Sequence, residues 1–127
     1  MREYKTMTSI NDEYYGKHGM SADEQYRLFK RTLHECSSEL LSLSDDMFAY
    51  YVFEELPIDM ITYVYKDTLK VFMENSLIDE NIYLKSIELR EYYMSVEQGF
   101  KIDAVKESRE LKHIIELSDE ILKLLYI

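Results

Sequence analysis

Cys36 is the most reactive side chain that the sequence offers, and it is the only cysteine. A nucleophilic thiol needs a base within hydrogen-bond reach. His34 lies two residues earlier, and on a helix residues two apart do not face each other. Cys36 also falls on an apolar stripe, where a thiol behaves as a small buried hydrophobe. The spacing therefore argues against a cysteine nucleophile.

Glu110 and His113 form a Glu-x-x-His element of the kind that di-iron helical bundles use. Such a site needs two of these elements and further inward-facing carboxylates, and this sequence offers a single one. The spacing around Leu111 instead favours a solvent-exposed helix face for both side chains. Three scattered glycines are too few for a glycine-rich phosphate-binding loop. We therefore expect no metal site and no cofactor.

Adjacent acids are the other candidates for chemistry. They occur at Asp45 and Asp46, at Glu54 and Glu55, and at Asp79 and Glu80. General acid–base catalysis needs carboxylates that converge in a pocket with unlike environments. Acids that are neighbours near helix starts are better explained as caps and as partners of the helix dipole. We expect no catalytic residue here and no enzymatic activity.

The elements that would position any site are predicted to be helices. The chain has 127 residues with only three glycines and one proline, too few for the many turns of an all-β protein. We predict an all-α fold, an irregular bundle of about five helices. An N-terminal arm is expected over residues 1–20, followed by a single helical domain over residues 21–127.

Caps and apolar spacing predict where the helices lie. Ser21 and Glu24 form a capping box, and Ser44 is typical of a second helix start. The predicted helices cover residues 21–42, 44–56, 58–78, 79–98 and 103–126. In the third, one side of the helical wheel would carry Ile58, Ile61, Val64, Tyr65, Thr68, Leu69 and Phe72, with Asp59 on the other. Because residues 58–78 also have high β-propensity, a β-hairpin is the alternative there.

The helix predicted over residues 79–98 is apolar on two faces. One face carries Tyr83, Leu84, Ile87 and Met94. The other carries Ile82, Leu89, Tyr93 and Val96. A helix of this kind is central in its bundle or contributes to an interface. We expect the central position, with a homodimer through the second face as the alternative.

The net charge of −10 restricts the possible partners. Bare nucleic acid and anionic membrane surfaces are poor partners, because both need clustered Lys and Arg. A basic protein is electrostatically favoured. The apolar runs are far shorter than the roughly 20 residues of a membrane span. The polar N-terminus and the single cysteine suggest a cytoplasmic protein.

The acids are unevenly distributed along the chain. Between Thr32 and Tyr65 there is no Lys or Arg. Tyrosine is abundant, with twelve residues, and its rigid ring and polar tip are enriched in protein interfaces. Asp46, Tyr50 and Glu54 are spaced four apart and would share a helix face. The predicted partner-binding residues are Asp45, Asp46, Tyr50, Glu54, Glu55 and Asp59.

The aromatic residues in this segment allow a second interpretation. Tyr50, Tyr51 and Phe53 could simply be buried against neighbouring helices. A helix side buried in a core would not usually carry Asp46 and Glu54, which favours the interface. The spacing alone leaves both interpretations open.

In overall character, and in the adjacent Tyr50 and Tyr51 among acids, the chain resembles the small acidic immunity proteins of bacterial toxin–immunity systems. That resemblance implies a helical, cytoplasmic protein that neutralises a basic toxin domain, often a nuclease. Two other classes of function remain as alternatives. One is a phage-encoded nucleic-acid mimic or regulator, and the other is a homodimeric helical adaptor.

Overall fold

The computed structural model describes residues 20–96 and 102–126, and within them all regular elements are helical. The helices are α1 (Ala22–Glu35), α2 (the consecutive segments Asp45–Tyr50, Tyr51–Glu55 and Leu56–Tyr63), α3 (Lys66–Glu74), α4 (Glu80–Met94), α5 (Ile102–Lys106) and α6 (Arg109–Leu125). The predicted all-α bundle is confirmed, and the hairpin alternative for residues 58–78 is wrong. The predicted arm lies, except for Met20, outside the described residues. None of the described helices is long and apolar enough to cross a membrane.

α1 begins with the predicted capping box but ends earlier than predicted. The Ser21 hydroxyl accepts from the Glu24 N–H, and the Glu24 carboxylate accepts from the Ser21 N–H. The Ser37 hydroxyl donates to the His34 carbonyl and accepts from the Glu39 N–H. Because these bonds replace helical backbone bonds, the helix stops at Glu35. A short 3₁₀ turn, Ser38–Ser42, then leads to α2. Buried Cys36 at the end of α1 matches the expected apolar role.

The core face of α2 is a row of residues spaced exclusively by four. These are Phe48, Val52, Leu56, Met60 and, directly after the last helical residue, Val64, and all are almost fully buried. In an α-helix of about 3.6 residues per turn, residues four apart drift by about 40° at each step. The middle segment of α2, Tyr51–Glu55, is a π-helical turn, which is wider. It offsets the drift and keeps the row against the core.

Pro57 explains how this π turn is closed. The Leu56 N–H donates to the Tyr51 carbonyl, five residues back. The next bond of this pattern would join residue 57 to the Val52 carbonyl, but proline has no N–H. The Tyr93 hydroxyl of α4 donates to the Val52 carbonyl instead. α2 therefore continues through Pro57, whereas the sequence predicted a new helix there.

Removing the Tyr93 hydroxyl should destabilise the fold. Tyr93→Phe leaves the Val52 carbonyl buried without this donor, at an expected cost of about 1–3 kcal/mol in the free energy of unfolding. Urea denaturation measures the change. Tyr92→Phe, a change at the exposed neighbouring position, should shift stability by less than about 0.5 kcal/mol. Equal effects of the two substitutions would contradict this role for the Tyr93 hydroxyl.

The predicted apolar side of residues 58–72 is only partly correct. Val64, Thr68, Leu69 and Phe72 are buried, as expected. Ile58, Ile61 and Tyr65 are instead 65%, 57% and 42% exposed. The reason is a break between α2 and α3, where Val64 leaves the helical conformation and Tyr65 is extended. A single helical wheel cannot describe two helices with different axes.

α3 ends in a Schellman motif built on Ser76. The Leu77 N–H donates to the Phe72 carbonyl at 2.8 Å, and the Ser76 N–H donates to the Met73 carbonyl at 3.0 Å. Ser76 has φ of 61°, the left-handed region that glycine occupies most easily. The turn therefore holds a serine in a conformation that its Cβ disfavours.

Ser76→Gly should stabilise the protein. Relief of the left-handed conformation exceeds the extra chain entropy of glycine in the unfolded state, by about 0.5–1 kcal/mol. Thermal unfolding followed by circular dichroism measures the gain. Ser95→Gly serves as the control, because Ser95 has ordinary right-handed geometry and glycine should be unfavourable there. A loss of stability in both variants would refute the argument.

α4 and α6 form the main helix pair of the bundle. On α4, the face of Ile82, Leu89, Tyr93 and Val96 is buried within the chain, so this face is not open to a second copy. The opposite face has Leu84 and Met94 exposed. α4 ends at Met94 rather than near residue 98, and residues 97–101 lie outside the described ranges.

The helix predicted over residues 103–126 is divided in two. The Ser108 hydroxyl accepts from the Leu111 N–H and so caps a new helix, α6, after the short α5. The buried face of α6 carries Leu111, Ile114, Ser118 and Ile121. Leu124 and Leu125 pack partly against the core.

Candidate functional site: an acidic face and a carboxylate cluster

Three of the predicted partner-binding residues lie together on the outside of α2. Asp46, Tyr50 and Glu54 are exposed, and Tyr50 keeps 43% of its surface in solvent. We call these three residues the acidic face. Tyr51 and Phe53 are partly buried against the core. Of the aromatic residues considered in this segment, Tyr50 is thus the one that is free to contact a partner.

The Tyr50 side chain is held in place by its neighbours. Its hydroxyl donates to Glu55 Oε1 at 2.9 Å, and its ring packs edge-on against Tyr51 with 5.4 Å between the centroids. The hydrogen bond to Glu55, together with the carboxylate charge, raises the pKa of Tyr50. The phenol therefore stays neutral and oriented. A side chain that is already ordered loses less entropy when it binds.

The predicted acids differ in whether they already have a counter-charge. Lys106 of α5 donates to Asp45 Oδ1 at 2.7 Å. Across residues 20–96 and 102–126, neither Asp46 nor Glu54 has a basic group within ion-pair distance. The acidic face therefore presents two carboxylates whose charge is not neutralised locally by the described residues.

Asp59 lies in the interior, away from the acidic face. It is only 6% exposed and faces the end of α1. One carboxylate oxygen each from Glu35, Glu55 and Asp59 lies within 4.8 Å of the others. We call these three residues the carboxylate cluster. Glu55 belongs to this cluster and also accepts the Tyr50 hydrogen bond, so it connects the two features.

Arg31 is the counter-charge found beside the carboxylate cluster. Its Nε lies 3.4 Å from Glu35 Oε2 and its Nη2 lies 3.6 Å from Asp59 Oδ2. Both distances exceed the roughly 2.7–2.9 Å of a strong charge-assisted hydrogen bond. Glu35 Oε1 and Asp59 Oδ2 are buried, and the two carboxyl groups can share a proton in a hydrogen bond to each other. Arg31 thus pairs with Glu35 and Asp59, whereas Glu55 accepts from the Tyr50 hydroxyl.

The electrostatics of the cluster favour protonated carboxyls. Burial raises the pKa of Glu35 to about 7, the Glu55 charge adds to the rise, and Arg31 opposes it. Burial also raises the pKa of Asp59, again against Arg31. The buried Cys36 thiol next to Glu35 has its pKa raised by burial as well, so it is not a thiolate nucleophile.

Glu35→Gln should change how stability depends on pH. The folded-state pKa of about 7 lies above the usual value, so the folded protein binds this proton more tightly than the unfolded chain does. The Glu35 contribution to stability is therefore lost as pH rises from about 4.5 to about 7. The amide cannot ionise, so the variant should be more stable than the parent at about pH 8 and should show a flatter profile.

Urea denaturation at several pH values measures this difference. Glu54→Gln is the matched control, because Glu54 is exposed and has no described ion-pair partner. Its profile should follow that of the parent protein. If Glu35→Gln were less stable than the parent at about pH 8, the raised pKa would be the wrong explanation of the cluster.

Sequence reasoning missed Arg31 and Glu35. Their spacing of four, and that of Glu55 and Asp59, would have placed each pair on one helix face. The convergence of the two pairs comes from the packing of α1 against the last segment of α2, which no local pattern encodes. Conversely, Asp59 was predicted at the surface because the register of α2 was misplaced.

His113 of α6 lies beside two acids and an aromatic ring. Its Nε2 lies 3.4 Å from Glu88 and its Nδ1 lies 3.7 Å from Glu116. Its ring centroid is 4.2 Å from that of Tyr92. Within the described ranges, the group with metal-ligand spacing is the carboxylate cluster, without a histidine.

Comparison of the chain with protein-family models, with curated proteins and with solved structures found no match. Arguments about function therefore depend on the arrangement of the residues themselves.

Proposed function

We propose that this chain acts by binding a basic protein through the acidic face of α2. The observation that carries the proposal is the exposed, ordered Tyr50 between two acids that lack a described counter-charge. Tyrosine is among the residues that contribute most to binding energy at interfaces. Unpaired carboxylates around it attract and orient a cationic surface.

Exposed aliphatic side chains extend this face toward the end of α2. Ile58 follows Glu54 by four residues and Ile61 follows Ile58 by three, and both are more than half exposed. Protein interfaces commonly combine apolar contact area with a polar margin. The expected partner surface therefore carries Lys or Arg opposite the acidic face and apolar residues opposite the isoleucines.

The adjacent Tyr50 and Tyr51 resemble those of bacterial immunity proteins. This resemblance favours an immunity protein as the specific form of the function. Such a protein would bind and neutralise a basic toxin domain, with a nuclease as one candidate. The net charge of −10 and the absence of Lys and Arg between Thr32 and Tyr65 support fast association with a cationic enzyme. In this role the chain needs no catalytic residue of its own, since blocking the partner suffices.

Charge reversal on the acidic face should weaken binding to the partner. The partner is first captured from lysate of the source cells and identified, and its binding to the purified chain is then measured by calorimetry at low and high salt. Asp46→Lys and Glu54→Lys should each raise Kd by about tenfold, because each replaces attraction by repulsion. Tyr50→Ala should raise Kd by about thirtyfold or more. Circular dichroism should show unchanged helicity.

Glu91→Lys is the control for net charge, since Glu91 is an exposed acid on α4. It should leave Kd within about twofold of the parent value. If Glu91→Lys weakened binding as much as Glu54→Lys, the effect would come from overall charge and not from the acidic face. If all the α2 variants bound normally, the contact surface would lie elsewhere and the proposal would fail.

A further inference from the structure

The carboxyl groups of Glu35 and Asp59 meet between α1 and α2. Glu35 is the last residue of α1, and Asp59 lies in the last segment of α2, which packs against α1. The two carboxyl groups are joined by a hydrogen bond. Ionised carboxylates only accept hydrogen bonds, so this bond requires that one of the two groups carries a proton. The packing of the two helices therefore holds a carboxyl pair that shares one proton.

The charges that act on this carboxyl pair, within the described part of the chain, come from α1 and α2. Arg31 lies 3.4 Å from Glu35 Oε2 and 3.6 Å from Asp59 Oδ2. Glu55 places a third carboxylate oxygen within 4.8 Å of an oxygen of each partner. With the shared proton present, one cation faces two carboxylates. Loss of the proton adds a third negative charge beside Glu55.

The other titratable groups next to the carboxyl pair do not compete for this proton. Burial raises the pKa of the Cys36 thiol and that of the Tyr63 phenol, so both stay neutral at neutral pH. From α6, the neutral Ser118 hydroxyl contacts Cys36. The imidazole of His34 contacts Glu39 instead, with Nδ1 3.1 Å from Oε2. The proton near neutral pH therefore belongs to the carboxyl pair.

Glu55 connects the carboxyl pair to the acidic face. Its Oε1 accepts from the Tyr50 hydroxyl at 2.9 Å. The two residues are five apart, which is the hydrogen-bond spacing of the π turn that begins directly after Tyr50. Glu55 thus contacts Tyr50 on one side and lies beside the carboxyl pair on the other. A change of charge on the pair acts on Glu55 first and reaches Tyr50 through one hydrogen bond.

We propose that the carboxyl pair of Glu35 and Asp59 is a proton switch for the acidic face. Loss of the shared proton repels the Glu55 carboxylate toward Tyr50 and makes this side of α2 more negative, so a cationic partner binds more tightly. A cationic partner in turn favours the ionised pair, and its binding releases protons. The effect on binding rests on the proposed function, whereas the coupling to Tyr50 exists in the free chain.

The switch operates around neutral pH. Burial raises the pKa of Glu35 to about 7, so the pair keeps its proton at about pH 6 and has lost it at about pH 8. Affinity for a cationic partner should therefore rise with pH across this range. Stability changes in the opposite direction, because the folded state holds this proton more tightly than the unfolded chain does. The form that binds best is thus the less stable one.

NMR titration of the free protein tests the coupling without any partner. With ¹³C-labelled glutamate and tyrosine, the Glu35 carboxyl should titrate at about pH 7, and the Tyr50 ring signals should shift with the same midpoint. Glu35→Gln keeps a donor for Asp59 but cannot ionise, so the shift of Tyr50 should disappear. Tyr50 signals that do not titrate in the parent protein, or that still titrate in Glu35→Gln, would overturn the proposal.

His34→Gln is the matched control for this titration. His34 precedes Glu35 in the chain, and an imidazole ordinarily titrates in the same pH range. Because its ring contacts Glu39 and not the carboxyl pair, the titration of Tyr50 should be unchanged in this variant. Loss of the Tyr50 shift in His34→Gln would assign the pH dependence to the imidazole and refute the switch.

N-acetylated octalysine serves as the cationic probe for the binding side, since its amines stay charged at neutral pH. Calorimetry should show Kd falling about threefold between about pH 6 and about pH 8, with release of protons. Glu35→Gln should keep the weaker Kd at both values. Equal pH dependence in this variant and the parent would contradict the switch. Octalysine binding that Glu54→Lys leaves unchanged would instead contradict the acidic face, with the Tyr50 titration intact.

Discussion

The rest of the structure depends on the rotational phase of α2, that is, on which of its side chains face the core. A π turn followed by a proline can persist in a buried helix only if another group supplies the missing backbone donor, and the Tyr93 hydroxyl does so. This bond ties α2 to α4, which packs on α6. The core row from Phe48 to Val64, the outward direction of Tyr50 and the inward direction of Asp59 all follow from that phase.

The same phase divides one acidic segment into two environments. Glu54 remains in water, whereas Asp59 is buried near Glu35, with Glu55 between them. Glu55 accepts the Tyr50 hydrogen bond and contributes an oxygen to the carboxylate cluster. Any group that draws Glu55 toward the cluster takes an acceptor from Tyr50.

Features set by residues close together in the sequence were predicted correctly, whereas features set by the packing of helices were not. The helix starts at Ser21, Ser44 and Asp79 were predicted correctly, because each cap is formed by a side chain and backbone a few residues apart. The all-α class followed from periodicity and scarce glycine. The proximity of Glu35 and Asp59 depends on how two helices pack. Ile58 and Ile61 were placed on the wrong side because the helix breaks after Tyr63, and no capping residue in the sequence indicates that break.

The π turn also bears on how this chain can vary in length. It holds one more residue than an α-helical turn would, so a single-residue deletion within Tyr51–Glu55 would restore regular α-helix. Because the wider turn absorbs its extra residue locally, the helix that follows would keep nearly the same rotation and rise after this deletion. Met60 and Val64 would stay against the core. A deletion elsewhere in α2 would instead rotate everything after it by about 100° and shift it by about 1.5 Å, so the π turn is the place where this helix can lose one residue and keep its core face.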